Sequence, residues 1–169
     1  MSRTIFITAF LIALVSFATT ICAAPSAGES KARGDNVSGF WYTEGREGVV
    51  ELYHCASDNG EDKICGRFHS FMHAREQKNT SLDTHNPDPD KRDRPLCEMQ
   101  FMGNFASDGQ GHYTDGWIYS PRHGQTFSAS MTLVDKNTLT LHGYVFVPAL
   151  GEDQTWTRAT KLPACENNS

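Results

Sequence analysis

The chain has 169 residues, with 15 Lys and Arg against 20 Asp and Glu, and a formal net charge of −5 at pH 7. A mildly acidic chain without a basic cluster argues against nucleic acid or an anionic membrane as a partner. The length corresponds to one ordinary domain, large enough for a hydrophobic core that needs no metal.

Residues 1–24 are organised as a secretory signal peptide. Arg3 forms a short basic region, residues 5–21 are apolar apart from Ser and Thr, and the small residues Ala23 and Ala24 mark the cleavage site. Their removal leaves 145 residues and a net charge of −6, because Arg3 carries the only charge that is lost. A retained membrane anchor is the alternative, although the apolar run is short for a span of about 20 residues. We therefore predict a secreted or periplasmic protein with no membrane span after signal removal.

The rest of the chain is predicted to contain strands and little helix. Residues 25–37 are small and polar, so we predict a disordered tether before a single domain over residues 38–165. Short aromatic and β-branched runs then alternate with turn signals, which indicates an antiparallel meander. The predicted strands cover residues 39–43, 48–55, 64–72, 96–102, 112–120, 125–134, 138–146 and 154–159. Eight such strands predict an all-β fold, an antiparallel up-and-down barrel whose interior is either filled or holds one small ligand.

Four cysteines follow the predicted signal peptide: Cys55, Cys65, Cys97 and Cys165. An even number in an exported protein indicates two disulfides, for which three pairings exist. If Cys55 faces Cys65 across the second and third strands, polar residues share the outer face and Leu52 faces Phe68 on the inner one. This register predicts a Cys55–Cys65 bridge and leaves Cys97–Cys165 by elimination. No CxxC pair occurs and the histidines are scattered, so we expect neither a redox site nor a metal site.

Five motifs occur in order along the chain: CGR at 65–67, NPDPDKRDRPLC at 86–97, DGWIYSPRHGQTFSA at 115–129, LHGY at 141–144 and QTWTR at 154–158. Together they resemble the bacterial exported-protein family known as domain of unknown function 2147. The resemblance covers residues 39–158. It implies a lipocalin-like barrel that is periplasmic or secreted and has no assigned activity.

The first and last strands carry a second, shorter resemblance. Gly39, Phe40 and Trp41 open the barrel, and Arg158 follows Trp156 on the final strand. This arrangement resembles the lipocalin-like signature, in which the arginine lies over the tryptophan. It implies that Trp41 and Arg158 form a cation–π pair at the closed end of the barrel, worth about 0.5–2 kcal/mol.

Motifs that carry catalytic or cofactor chemistry are missing from the sequence. It contains no GxSxG, HExxH, P-loop or GxGxxG followed by a helix. The aspartates of residues 83–97 do not have the spacing of a calcium-binding EF-hand loop. We therefore expect no cofactor, no metal ligand and no catalytic residue, and an enzyme is the least favoured interpretation.

The longest predicted loop, residues 75–95, is both charged and stiff. Prolines at 87, 89 and 95 restrict the backbone, and four acidic and three basic side chains lie between Asp83 and Arg94. In one interpretation these charges pair with one another and plug one end of the barrel. In the other, Arg92 or Arg94 points inward and anchors an anionic headgroup, because the guanidinium fork suits carboxylate or phosphate. The ligand-binding candidates are Arg92, Arg94, Asp83 and Asn86.

Two functions follow from these observations. The favoured one is an exported barrel that binds a small apolar or amphipathic ligand. The alternative is a structural or interaction protein of the cell envelope with a filled barrel, whose contact surface would be marked by the exposed aromatics Tyr42, Tyr144 and Phe146. We expect no nucleic-acid partner, and the sequence leaves the oligomeric state open. Whether the barrel interior is hollow distinguishes the two functions.

Overall fold

The computed structural model describes residues 36–72, residues 82–159 and residue 165. Within these residues eight antiparallel strands close into one barrel, in which each strand pairs with its chain neighbours and the last pairs with the first. The strands are β1 (Gly39–Tyr42), β2 (Gly48–Ala56), β3 (Asp62–Phe71), β4 (Gln100–Ser107), β5 (His112–Ser120), β6 (Gln125–Asp135), β7 (Thr138–Tyr144) and β8 (Glu152–Arg158). The predicted all-β, up-and-down barrel is confirmed. The predicted signal peptide and residues 25–35 of the predicted tether lie outside the described residues.

The connections contain short 3₁₀ turns rather than longer helices in the described part of the chain. They cover Glu44–Arg46, Pro89–Lys91 and Pro148–Leu150. The last two begin with a proline, whose fixed φ suits the first position of a helical turn. None of these turns contains a buried residue, so the hydrophobic core is formed by the strands and by the segment before β1.

The barrel domain begins earlier than predicted, because Asn36 and Val37 belong to it. Val37 is 1% exposed and lies in the hydrophobic core. Its carbonyl oxygen accepts a 2.8 Å hydrogen bond from Trp41 Nε1, while the Asn36 carbonyl accepts one from Arg158. The predicted end of the tether at residue 37 is therefore wrong, because Val37 is part of the core although the residues around it in the sequence are polar.

The fourth strand lies further along the chain than predicted. Residues 96–99 form a turn, in which the Met99 amide donates to the Leu96 carbonyl at 3.0 Å, and β4 continues to Ser107. Gly103 and Asn104 look like turn residues in the sequence, but here they lie inside a paired strand. Asn104 has a left-handed φ of 63° and its side-chain amide donates to the Asp115 carbonyl, so the irregularity is a bulge within the sheet rather than a chain reversal.

The pairing of β2 with β3 is shifted by two residues from the predicted register. Cys65 faces Tyr53, and Leu52 faces Gly66 rather than Phe68. From Val50 to Ala56 this shift of two residues keeps each side chain on its predicted face, whereas a bulge between Val49 and Val50 changes the register at the start of β2. The physical reason is space, because a Cβ at Gly66 would lie only 2.9 Å from Leu52 Cδ2. Gly66 is therefore the residue that this register requires opposite Leu52.

Both predicted disulfides are confirmed. Cys55 and Cys65 are joined diagonally across the β2–β3 ladder, with their Cα atoms 5.9 Å apart. Cys97 and Cys165 are joined with a Cα separation of 6.1 Å. The second bridge fastens the segment that follows β8 to the turn that precedes β4.

Candidate functional site

One end of the barrel is closed by Trp41 and Arg158. The guanidinium carbon of Arg158 lies 3.9 Å from the centre of the Trp41 ring. Its nitrogen atoms donate to three backbone carbonyls, at 3.1 Å to Lys136, 2.7 Å to Ser38 and 3.0 Å to Asn36. This is the pair that the lipocalin-like resemblance implies, and it has a structural role because each of its nitrogens already has an acceptor.

The half of the barrel next to Trp41 is filled with side chains. Side chains that are at most 1% exposed include Trp41, Trp156, Phe105, Leu52, Met102, Met131 and Leu139. The ring of Phe105 lies so close to Gly116 that a Cβ on this glycine would overlap it. This half leaves no space for a ligand among the described residues, and it accounts for the stability of the fold.

At the opposite end of the barrel four inward-facing residues are less buried, and we call Ile118, Phe127, Gly143 and Gln154 the mouth. Ile118 pairs directly with Phe127, and Gln154 pairs with the core residue Leu141, so these side chains face the same interior. The first three are only partly buried and Gln154 is exposed. A Cβ at Gly143 would meet a single neighbour, Ile118 Cγ2, at 4.0 Å. The residues of the mouth are therefore less buried than the packed floor, and the absence of a side chain at Gly143 leaves a small depression beside Ile118.

The charged loop is organised around a fully buried carboxylate, Asp83. Its Oδ2 accepts hydrogen bonds from Arg94 Nε at 2.9 Å, Arg94 Nη2 at 2.7 Å and Asn86 Nδ2 at 2.6 Å. Its Oδ1 accepts one from the Tyr119 hydroxyl at 2.7 Å. Burial alone would raise the pKa of Asp83, but the hydrogen bonds from Tyr119, Asn86 and Arg94 hold it below its usual value. Burial has the largest effect on Tyr119 and the hydrogen bond to Asp83 the next largest, and together they raise its pKa to about 12.

This loop cluster lies against the outer wall of the barrel. Tyr119 pairs with Thr126 on the face opposite to the inward-facing Ile118, so Asp83 and Arg94 contact the outside of β5. Three of the four ligand-binding candidates thus lie together, while Arg92 is exposed and reaches the cluster only through the Asn86 carbonyl at 2.9 Å. Arg94 is bonded to its own aspartate, as the ion-network interpretation expects, but this cluster lies on the outer wall of β5 and does not plug the end of the barrel. The proposed ligand-binding role of the four candidates stays a prediction.

Comparison with known proteins identifies the family. Residues 39–158 match the sequence profile of DUF2147, described as an uncharacterised protein conserved in bacteria. The chain belongs to this family. The barrel is also similar to protein HP1028 from the human pathogen Helicobacter pylori, which belongs to the lipocalin family, with 21% identity and a TM-score of 0.61 over 73% of this chain and 82% of that one. This likeness shows the fold alone.

No curated protein sequence matches the chain significantly. In the part of this DUF2147 protein that the structure describes, no helix has the length and hydrophobicity needed to cross a membrane.

Two clefts lie on the outer wall of the DUF2147 barrel. One has a volume of about 370 Å³ and is lined by residues that include Asn86, Arg94 and Tyr119. The other has a volume of about 420 Å³ and lies beside the Cys55–Cys65 bridge. Both include Gln100 and Trp117 in their walls. The sequence predictions omitted Trp117, although its alternation with Ile118 along β5 placed it on the outer face.

The connection between β7 and β8 forms an exposed apolar segment, residues 145–150, which we call the lip. Strand β7 ends at Tyr144, two residues before the predicted end. The exposed fractions are 46% for Val145, 95% for Phe146, 47% for Val147 and 78% for Leu150. Phe146 is thus exposed as predicted, whereas Tyr42 is only 9% exposed and Tyr144 is partly buried. The expectation for Tyr42 was wrong because its ring lies under Arg46, at 4.9 Å from the guanidinium carbon.

The lip is tied to the barrel by His142, whose two ring nitrogens both face an oxygen. Nδ1 lies 2.6 Å from Asp153 Oδ1, and Nε2 lies 2.8 Å from the Pro148 carbonyl oxygen. These two hydrogen bonds raise the pKa of His142, and the bond to Asp153 has the larger effect. Only the protonated imidazolium can donate to both acceptors at once, so protonation of His142 favours the observed lip conformation.

Proposed function

We propose that this protein is an exported, lipocalin-like binding protein that holds one small apolar or amphipathic ligand at the mouth of its barrel. The observation that carries the proposal is the end of the barrel opposite Trp41, where Ile118 and Phe127 are partly exposed on the inner wall and Gly143 leaves space beside Ile118. Covering apolar surface is favourable by about 25 cal/mol per Å². A ligand with an apolar part would supply that cover.

The packed floor supports a shallow rather than a deep binding position. Trp156 Nε1 donates to Gln154 Oε1 at 3.1 Å, so the floor ends in an amide group that faces the mouth. Among the described residues, none accepts a hydrogen bond from the Gln154 amide nitrogen. An amphipathic ligand would place its apolar part on Ile118 and Phe127 and a hydrogen-bond acceptor at Gln154.

Export is part of the proposal. The amino-terminal segment has the organisation of a signal peptide, and the two disulfides belong to an oxidising compartment such as the periplasm or the extracellular space. A cytoplasmic protein of this size would be kept reduced. Detection of the full-length, unprocessed chain in the cytoplasm of the native host would contradict this part of the proposal.

The proposal is tested by introducing a larger side chain into the mouth. Gly143 does not have a positive φ and has space at its Cβ, so Gly143→Leu should fold and occupy the depression. Thr140→Leu places the same side chain on the outer face of the same strand, where Thr140 pairs with Thr132 and Thr155, and serves as the control.

We expect the neutral fluorescent probe N-phenyl-1-naphthylamine to bind the wild type and Thr140→Leu equally and Gly143→Leu at least tenfold more weakly. Native mass spectrometry of the wild type purified from a periplasm should show a bound species that Gly143→Leu lacks. Equal probe binding by all three folded proteins would contradict a site at the mouth.

A filled-barrel interaction protein of the envelope is the second candidate, and the packed half around Phe105 and Trp156 favours it. It predicts that neither the probe nor any co-purified species binds the wild type. The same two measurements therefore separate the two functions.

A further inference from the structure

The lip is the longest exposed apolar surface that the described residues offer. Residues 145–150 read Val-Phe-Val-Pro-Ala-Leu, without a polar or charged side chain. Other exposed large apolar side chains, such as Val134 at 60% and Leu82 at 38%, stand singly. Single exposed apolar residues are ordinary, whereas a contiguous apolar segment marks a contact surface.

The lip is shaped for contact with lipid rather than for pairing with another strand. The amides of Val147, Leu150 and Gly151 donate to the carbonyls of Val145, Val147 and Pro148, at 2.8, 3.2 and 3.1 Å. Pro148 has no amide hydrogen, and its carbonyl also accepts from His142. A partner that adds a strand needs unpaired backbone groups. The turn over Pro148–Leu150 is not extended, so the lip does not offer a partner the continuous strand edge that this mode of recognition uses.

Phe146 supports the same conclusion. Its φ of 64° is in the left-handed region, which is unfavourable for a residue with a Cβ. The ring is nevertheless 95% exposed, so packing against its own chain does not compensate for this conformation. An aromatic ring held away from the protein is suited to the interfacial region of a lipid layer.

The size and the charge of the lip indicate which kind of partner it contacts. Four exposed side chains offer a patch of a few hundred Å², below the roughly 600 Å² that each partner buries even in a small stable protein interface. Acidic groups border the lip at Glu152 and Asp153, and Glu44 contacts the neighbouring Thr155 amide at 3.5 Å. Anionic lipid would be repelled by these carboxylates, so a zwitterionic surface is favoured.

We propose that the lip inserts Phe146 and Leu150 into the surface of a zwitterionic lipid layer and thereby holds the barrel mouth against it. The lip borders the mouth, because Val145 follows Gly143 by two residues along β7 and its extension. The contact does not require a ligand in the mouth, so it goes beyond the proposed binding function.

The experiment is vesicle flotation of the full mature chain with phosphatidylcholine vesicles and with vesicles that contain 30% phosphatidylglycerol. We expect the wild type to float with phosphatidylcholine and the double variant Phe146→Ser, Leu150→Ser to lose at least tenfold in partitioning. Val134→Ser removes an exposed but isolated apolar side chain and should float like the wild type. All three substituted positions are exposed, so circular dichroism should report an unchanged fold.

A second readout places the lip directly in the lipid. Phe146→Trp should show a blue-shifted emission with phosphatidylcholine vesicles, and brominated acyl chains should quench it, relative to the wild-type protein. Gly143→Leu keeps the lip and should still float. Probe binding by Gly143→Leu that equals the wild type, together with normal flotation, would contradict the mouth proposal and leave this one. Absence of wild-type flotation, equal flotation of the lip variant, binding only to the phosphatidylglycerol vesicles, or a dimer that the lip variant abolishes would each overturn the inference.

Discussion

Replacing Arg94 by alanine tests whether the charged loop is a structural part of the barrel. The substitution removes two of the four hydrogen bonds to the Asp83 carboxylate, at 2.9 and 2.7 Å. Asp83 is 0% exposed, and it would keep its charge with only the neutral donors Asn86 and Tyr119. Breaking a buried ion pair by removing one partner costs about 3–5 kcal/mol.

The magnitude for this pair is smaller because the Arg94 side chain is 38% exposed and its charge is screened by solvent. We expect a loss of about 2–4 kcal/mol in the free energy of unfolding. At about 3 °C per kcal/mol for a domain of this size, the Tm should fall by about 6–12 °C. Arg92 is the matched control, since it is exposed and donates from Nε to one backbone carbonyl, so Arg92→Ala should cost about 0.5–1 kcal/mol.

The assay is urea unfolding followed by tryptophan fluorescence, with the slope m compared between variants. Adding Asp83→Asn to Arg94→Ala removes the stranded charge and should restore part of the lost stability. If the two arginine variants differ by less than about 0.5 kcal/mol, or if the added Asp83→Asn destabilises further, the buried carboxylate is not what holds the loop, and the reasoning fails.

Three further predictions follow from the same structure. The pKa of Asp83 is lowered in the folded state, so its stabilising contribution is present above the unfolded pKa of about 4 and is lost as pH falls through the folded pKa. The free energy of unfolding of Asp83→Asn should therefore depend less on pH in the acid range than that of the wild type. The pKa of His142 is raised in the folded state, so its contribution to the stability of the lip is complete below about pH 6.5 and is lost as pH rises through the folded pKa. Amide hydrogen exchange at Leu150 and Gly151, corrected for the intrinsic rate, should therefore be faster at pH 8.5 than at pH 6. His142→Gln should remove this difference. Replacing both members of a disulfide by alanine should cost about 4 kcal/mol for Cys97–Cys165, with a separation of 68 residues, and about 3 kcal/mol for Cys55–Cys65, with a separation of 10, as measured by chemical denaturation against the oxidised wild type.

The sequence predicted the barrel well because its strands alternate strongly. Ala129 and Met131 of β6 are buried between polar neighbours. The predicted β2–β3 hairpin brought Cys55 close to Cys65, although in another register, and left Cys97–Cys165 by elimination. The prediction was wrong where a local turn signal competes with strand pairing. Gly103 and Asn104 resemble a turn, yet both lie inside β4, because a bulge accepts the left-handed Asn104 that would otherwise end a strand.

The candidate site was predictable only in part. The composition of the loop indicated that Asp83 and Arg94 belong together, but the burial of Asp83 depends on Tyr119, which lies far along the chain and whose hydroxyl no local pattern connects to it. The shallow mouth depends on how deeply Phe105 and Met102 fill the interior, which is a property of packing in three dimensions. The lip was read as the end of a strand because Val145 and Phe146 favour β-structure, and only the structure shows that pairing stops at Tyr144.

The Cys97–Cys165 bridge has a consequence for the order in which the protein is made. Behind the predicted signal peptide, a chain that emerges from its amino terminus contains Cys55, Cys65 and Cys97 as thiols before Cys165 appears. Synthesis from Cys65 to Cys97 takes seconds at about 5–20 residues per second, whereas a β-hairpin closes in about 1–10 μs. The β2–β3 hairpin can therefore bring Cys55 and Cys65 together before Cys97 arrives. Early hairpin closure holds Cys55 and Cys65 close together when oxidation begins and thereby favours the local bond, which leaves Cys97 for Cys165 beyond β8.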